Sequence, residues 1–183
     1  MSFEIVSQDT WEKALKKYSI KTDTTVKELE EYKPTRSTNQ SAGYDFRIPF
    51  DLICEVDKEY SIPTGIKWNP KGSYLNISTQ PYSSLLSVHK YYPWYKVLVL
   101  VPRSSLGFQY GFTLLNTVGV IDSDYYNNTA NEGHIIVKFK VDRELDLYKG
   151  QKFCQGIILP FLLDGDDTGV QVIRSGGMGS TDN

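Results

Sequence analysis

The run Asn-Thr-Val-Gly-Val-Ile-Asp-Ser-Asp-Tyr at 116–125 packs two carboxylates and an aromatic ring behind a short apolar segment. Val118, Val120 and Ile121 suit a pleated strand, whereas Asp122, Ser123 and Asp124 favour a turn, so the stretch predicts a hairpin with a polar tip. Gly119 interrupts the strand. A glycine there marks a bulge, or a place where something must come close to the backbone. The Asp122 carboxylate is then set against whatever approaches. The same residues also describe a surface hairpin with solvated acids, and only company elsewhere in the chain separates the two readings. A calcium loop of the EF-hand type is excluded: counted from Asp122, its fifth and twelfth positions are Tyr126 and Gly133, where oxygen ligands are needed.

Company exists. Pro102, Arg103, Ser104, Ser105, Leu106 and Gly107 follow a continuous apolar run and read as a tight polar turn. A guanidinium fork, two hydroxyls and turn amides suit a phosphate, although an ordinary polar turn has the same composition. Gln155 sits inside the apolar segment 152–161 and must be hydrogen-bonded, either as a structural bridge or as a ligand contact. The tail from Arg174 to Asn183 is glycine-rich, with Met178, Gly179, Ser180 and Thr181 near its end. It reads as a frayed terminus or as an arm whose amides fold over an anion. It is no Walker loop, because no Lys follows the glycines. His89 and His134 lack metal-ligand neighbours, and Cys54 and Cys154 read as buried thiols in a reducing cytosol.

The elements that must position these groups are mostly strands. Thirteen Tyr and eight Phe with few helical periods indicate a β-rich protein. A strand is expected over 3–7, then a helix begun by Asp9 or Thr10 and running to about Tyr18, with Trp11, Leu15 and Tyr18 spaced along one face. A second helical segment is expected over 25–32, closed by Lys33-Pro34. Further strands are expected at 44–48, 51–60, 64–68, 73–78, 96–101, 133–141 and 152–161, with an aromatic loop carrying His89 and Trp94 over 80–95. About ten short strands spaced by turns predict an all-β barrel or jelly roll. The 183 residues are read as one domain, with 1–40 as an N-terminal extension carrying short helices and 174–183 as a flexible arm. A formal charge of −2 gives no general attraction to nucleic acid or anionic membrane, and no apolar run is long enough to span a bilayer.

Five stretches, 41–45 (Ser-Ala-Gly-Tyr-Asp), 102–107, 116–125, 150–155 and 174–181, resemble in order the five motifs of the trimeric dUTPases, in particular those of phage and Gram-positive type. The resemblance implies a jelly-roll homotrimer whose active sites each draw on all three subunits. It implies Mg²⁺-dependent hydrolysis of dUTP to dUMP and pyrophosphate, in which Asp122 activates the water that attacks the α-phosphorus. Asn116 and the backbone of Val118, Gly119 and Val120 would read the uracil edge, and Tyr125 would pack on the deoxyribose. Arg103, Ser104, Ser105, Gln155, Arg174, Gly179, Ser180 and Thr181 would hold phosphates. Met178 would cover the uracil, Mg²⁺ would ride mainly on the triphosphate and waters, and Asp45 would act indirectly.

There are departures. The family usually places an aromatic residue where Met178 stands, the spacing from Arg174 is shorter than in many members, and Asp182 replaces a usual glycine. Segments 69–95 and 126–132 are longer than the family's usual connections and read as decoration, as does the extension 1–40. Two rival functions follow. A dCTP deaminase shares the fold, but Lys138 occupies the place where that chemistry needs a carboxylate. A non-catalytic nucleotide-responsive trimer docking onto a protein partner is the other rival, and the insertions are its motive.

Overall fold

A computed structural model describes residues 2–72, 96–164 and 166. The expected strand over 73–78, the aromatic loop with His89 and Trp94, and the tail residues Arg174, Met178, Gly179, Ser180 and Thr181 lie outside the described residues.

The described residues form eleven strands and two α-helices: β1 (Phe3–Ile5), α1 (Gln8–Lys17), β2 (Thr35–Arg36), β3 (Gly43–Arg47), β4 (Leu52–Cys54), β5 (Tyr60–Trp68), β6 (Lys96–Pro102), α2 (Ser104–Tyr110), β7 (Thr113–Leu114), β8 (Gly119–Ile121), β9 (His134–Lys140), β10 (Leu145–Leu147) and β11 (Lys152–Pro160). One sheet runs β1-β5-β9-β7, a second β2-β3-β11-β6-β8, and β4 pairs with β10. The two larger sheets share one apolar core. Phe3 of the first meets Phe46 of the second edge-on at 5.6 Å, and Phe112 stacks on Phe139 at 4.3 Å. This is the all-β, jelly-roll-like architecture that the sequence predicts, with the helices outside it.

Several local expectations change. Helix α1 is capped by Ser7, not by Asp9 or Thr10: the Ser7 hydroxyl accepts from the Thr10 N–H at 3.2 Å. Its buried face is Trp11 and Ala14. The segment expected to be helical at 25–32 shortens to a 3₁₀ turn, Glu28–Tyr32, that buries Leu29. The two strands expected on either side of Ile62-Pro63 are β4 and a single β5 that runs straight through Pro63. Pro63 is tolerated because β1 pairs only with Ile66, Lys67 and Trp68, so its missing N–H costs no bond on that edge. A register shift follows at once, with Gly65 at φ +73°.

Two corrections bear on the site. Residues 102–107 are not a tight turn; Arg103 is the N-cap of α2, which leaves Ser104 and Ser105 exposed in the first helical turn. Residues 116–125 are not a simple hairpin either. β7 pairs with β9, whereas β8 pairs with β6, so the stretch crosses from one sheet to the other.

Candidate active site

The crossing from β7 to β8 leaves a cavity of about 340 Å³. Its turn is built by the Leu115 N–H donating to the Lys138 carbonyl at 3.1 Å and the Thr117 N–H to the Leu114 carbonyl at 2.9 Å. Thr117 takes φ +61°, a left-handed conformation that a β-branched residue adopts only at a cost. Gly119 then enters β8 opposite Leu100, and a Cβ there would stand 3.0 Å from the Leu100 Cβ. The close approach predicted for this glycine is therefore real, and its near neighbour in the fold is β6. Asn116, Gly119 and Tyr125 all line the cavity, with Leu100, Ile121 and Lys138. The side chains of Val118 and Val120 are exposed and neither residue lines the cavity, which β8 reaches through Gly119 and Ile121.

Asp122 ends β8 in extended backbone, and its carbonyl accepts from the Tyr125 N–H at 3.1 Å. The residue is exposed. Tyr125, by contrast, is 2% exposed and fixed at its hydroxyl, which donates to the His134 carbonyl at 3.0 Å and accepts from Asn131 Nδ2 at 2.8 Å. His134 is itself held: its Nε2 accepts from the Gly65 N–H at 2.8 Å, and burial pushes its pKa down to about 3, so the ring is neutral.

Sequence reasoning missed three residues here, Lys17, Tyr18 and Asn131, which also line the cavity. Asn131 belongs to the segment 126–132, which is integral to the fold. Its neighbour Asn128 is buried: Nδ2 donates to the Tyr125 carbonyl, and Oδ1 accepts from the N–H groups of Ala130 and Asn131. Glu132 accepts from the hydroxyls of Ser7 and Thr10 and pairs with Lys67 at 3.2 Å. Burial opposes ionisation of Glu132, but these bonds outweigh it and pull its pKa to about 2.

The other predicted residues gather elsewhere on the same sheet. Asp45 on β3 is 2% exposed, and its two carboxylate oxygens accept from Lys152 Nζ at 2.7 Å, Ser37 Oγ at 2.6 Å and Gln155 Nε2 at 3.1 Å. Arg103 Nε lies 3.8 Å away. Burial works to raise the Asp45 pKa, and the hydrogen bonds from Lys152, Ser37 and Gln155 bring it below its usual value. Gln155 is thus a bridge from β11 to β3, and Lys152 and Ser37 join the cluster unpredicted. Among the described residues, no group of three His, Cys, Asp or Glu side chains converges as a metal site.

No family model matches the chain. A deoxyuridine 5'-triphosphate nucleotidohydrolase from Lactococcus lactis is 36% identical over 151 residues, covering 81% of this chain and 86% of that protein. The chain belongs to the dUTPase family. A second dUTPase, from Herminiimonas arsenicoxydans, is 30% identical over 84% of this chain and 90% of its own length. The crystal structure of the dUTPase from Streptococcus mutans superposes with a TM-score of 0.58 at 31% identity, covering 90% of this chain and 98% of that one.

Within this dUTPase-family chain, Asp122 and Arg103 do not meet. Leu98 pairs with Ile121, which sets Asp122 level with Val97, six residues along β6 from Arg103. At about 3.3 Å per residue the two are roughly 20 Å apart. The cavity beside β8 and the Asp45 cluster are therefore separate places on one sheet.

Proposed function

We propose that this protein hydrolyses dUTP to dUMP and pyrophosphate. The carrying observation is that Asn116, the Gly119 backbone and Tyr125 frame one cavity, with the Asp122 carboxylate at the end of the strand that forms its floor. With the Val118 N–H already held by the Asn116 carbonyl, the remaining backbone groups at 118–120 offer a fixed donor–acceptor edge to a uracil, and Tyr125 offers its ring to the deoxyribose. Asp122 takes a proton from water as that water's oxygen bonds to the α-phosphorus. The bond from that phosphorus to the bridging oxygen breaks, and pyrophosphate leaves. Arg103, Gln155 and the exposed hydroxyls of Ser104 and Ser105 hold phosphate oxygens, and Arg174, Gly179, Ser180 and Thr181 join from the C-terminal arm, with Met178 over the base.

The separation of Asp122 from Arg103 fits a homotrimer in which one subunit's base pocket faces another's phosphate-holding cluster. No cluster of carboxylates is set aside for Mg²⁺ among the described residues, so the ion would be carried by the triphosphate and its waters and would supply charge neutralisation there. Asp45 is then no metal ligand, since Lys152, Ser37 and Gln155 occupy its oxygens; it positions Arg103 and Gln155. Lys138 in the cavity wall leaves no carboxylate for deamination.

Pyrophosphate release measured with dUTP, dTTP, dCTP and UTP in the presence of Mg²⁺ tests reaction, base and sugar together, and turnover of dUTP alone is expected. Asp122→Asn should bind nucleotide while losing on the order of 10³-fold in turnover. Parent-like turnover by that variant would show that another group is the base.

A further inference from the structure

Helix α1 is hydrogen-bonded to the rest of the fold through its first half, while Ala14, Leu15 and Ile20 pack its second half on the core. Its first half is tied down by the Ser7 and Thr10 hydroxyls on Glu132, and Trp11 is fully buried with its indole N–H donating to the Thr24 carbonyl at 3.0 Å. Its last turn stands between two hollows. Lys17 and Tyr18 line the cavity of about 340 Å³ that Asn116 and Gly119 frame. The same two residues, with Asn131, line a neighbouring hollow of about 300 Å³ between α1 and the segment 126–132. Lys17 is exposed and Tyr18 half-buried, which puts them at the rim of the first cavity. The Lys17 ammonium lies 5.5 Å from the centroid of the Tyr18 ring, so the pair forms one unit with an aromatic face and a positive charge.

We propose that the last turn of α1 is the outer wall of the nucleoside pocket, with Tyr18 packing its ring against the bound pyrimidine nucleoside and Lys17 drawing in its anionic nucleotide. An aromatic face suits a pyrimidine ring, since stacking on a base is tolerant of its substituents. An ammonium at the rim suits a ligand with a triphosphate. The wall's position is set from a distance by Glu132, which holds the opposite end of the helix. The inference rests on the uracil-nucleotide reading of the cavity, and the N-terminal extension becomes part of the binding machinery under it.

The test is steady-state hydrolysis of dUTP, together with calorimetric titration of dUMP, on the full chain. Tyr18→Ala should raise KM for dUTP and Kd for dUMP about tenfold with kcat within about twofold, while Tyr18→Phe restores both. Lys17→Glu should raise KM most at low ionic strength, an effect that shrinks as salt is added. A KM within about twofold of the parent's in a folded Tyr18→Ala overturns the inference and leaves the dUTPase reading standing. Should that variant lose its fold, a parent-like KM of Lys17→Glu at low ionic strength overturns the inference in its place. A parent that neither binds dUMP nor turns over dUTP overturns the inference together with the reading beneath it.

Discussion

Along β8 the chain keeps a hole open; across the same sheet, on β3 and β11, it closes every gap around a buried charge. The cavity is framed by backbone at Gly119, by apolar side chains and by a Tyr125 ring whose hydroxyl is bonded on two sides. Its volume of about 340 Å³ is left open. The Asp45 cluster is the reverse. A carboxylate that is 2% exposed is surrounded by Lys152, Ser37, Gln155 and Arg103, and no part of it is left for an incoming group. Under the proposed function, the first region receives the nucleoside and the second aims the cations and amide that a phosphate would meet. A shape can be altered a little at a time, whereas a closed charge network fails when one member goes.

The largest effect should therefore come from Asp45. Asp45→Ala leaves Lys152 and Arg103 without the charge that positions them, and losing a hydrogen bond to a charged group costs about 1.5–3 kcal/mol. Loss of dUTP turnover by at least about 100-fold is expected, with a lowered denaturation midpoint. A variant that keeps both activity and midpoint would show the cluster to be passive. Gly119→Ala probes the hole instead. Its Cβ would sit 3.0 Å from the Leu100 Cβ, so β8 or β6 must give by a few tenths of an ångström. Overpacking of this kind costs about 1–3 kcal/mol. A rise in KM for dUTP larger than the fall in kcat is expected, since the change lies in the base pocket and not beside Asp122.

The contrast also accounts for what was legible in the sequence. Gly119 and the turn residues around it are local signals, and local signals survive in one dimension. Trp11 on the buried face of α1 and the apolar run that becomes β6 were readable for the same reason. The members of the Asp45 cluster come from β3, β11, the loop after β2 and the residue that follows β6, and register across a sheet is not written in any one strand alone. Lys152 and Ser37 were accordingly invisible, although Gln155 was flagged by its apolar neighbours. The segment 126–132 misled in another way. Its polar, Asn-rich composition reads as a solvated loop, yet Asn128 is buried because its amide replaces the backbone partners that a strand would supply. Pro63 misled because a proline ends a strand only where its N–H is needed.

Two smaller effects sharpen the contrast by asking what holds the hole in shape. Glu132→Ala removes the acceptor for Ser7, Thr10 and Lys67, a loss of about 2 kcal/mol if its charge-assisted bonds contribute as such bonds usually do. Chemical denaturation would read it, and KM for dUTP should rise with it as α1 loosens. The pH dependence of this clamp has a definite sign. The Glu132 pKa is depressed to about 2 from an ordinary 4.5, so its contribution is complete above pH 4.5 and fades as pH falls toward 2.

His134 acts earlier in an acid titration. Its pKa falls from 6.5 to about 3 because burial opposes the charged ring, and its Nε2 must stay unprotonated to accept from Gly65. Below pH 6.5 the unfolded chain takes up a proton that the folded chain refuses, so stability declines as pH drops from 6.5 toward 3. Between pH 7.5 and 5.5 the decline should be about 1 kcal/mol. His134→Gln keeps an acceptor for the Gly65 N–H while removing the titration, and unfolding curves at the two pH values should then nearly coincide. A parent with no loss of stability over that interval would mean that the ring is not held neutral, and that the bond from Gly65 does not fix the strand whose carbonyl anchors Tyr125.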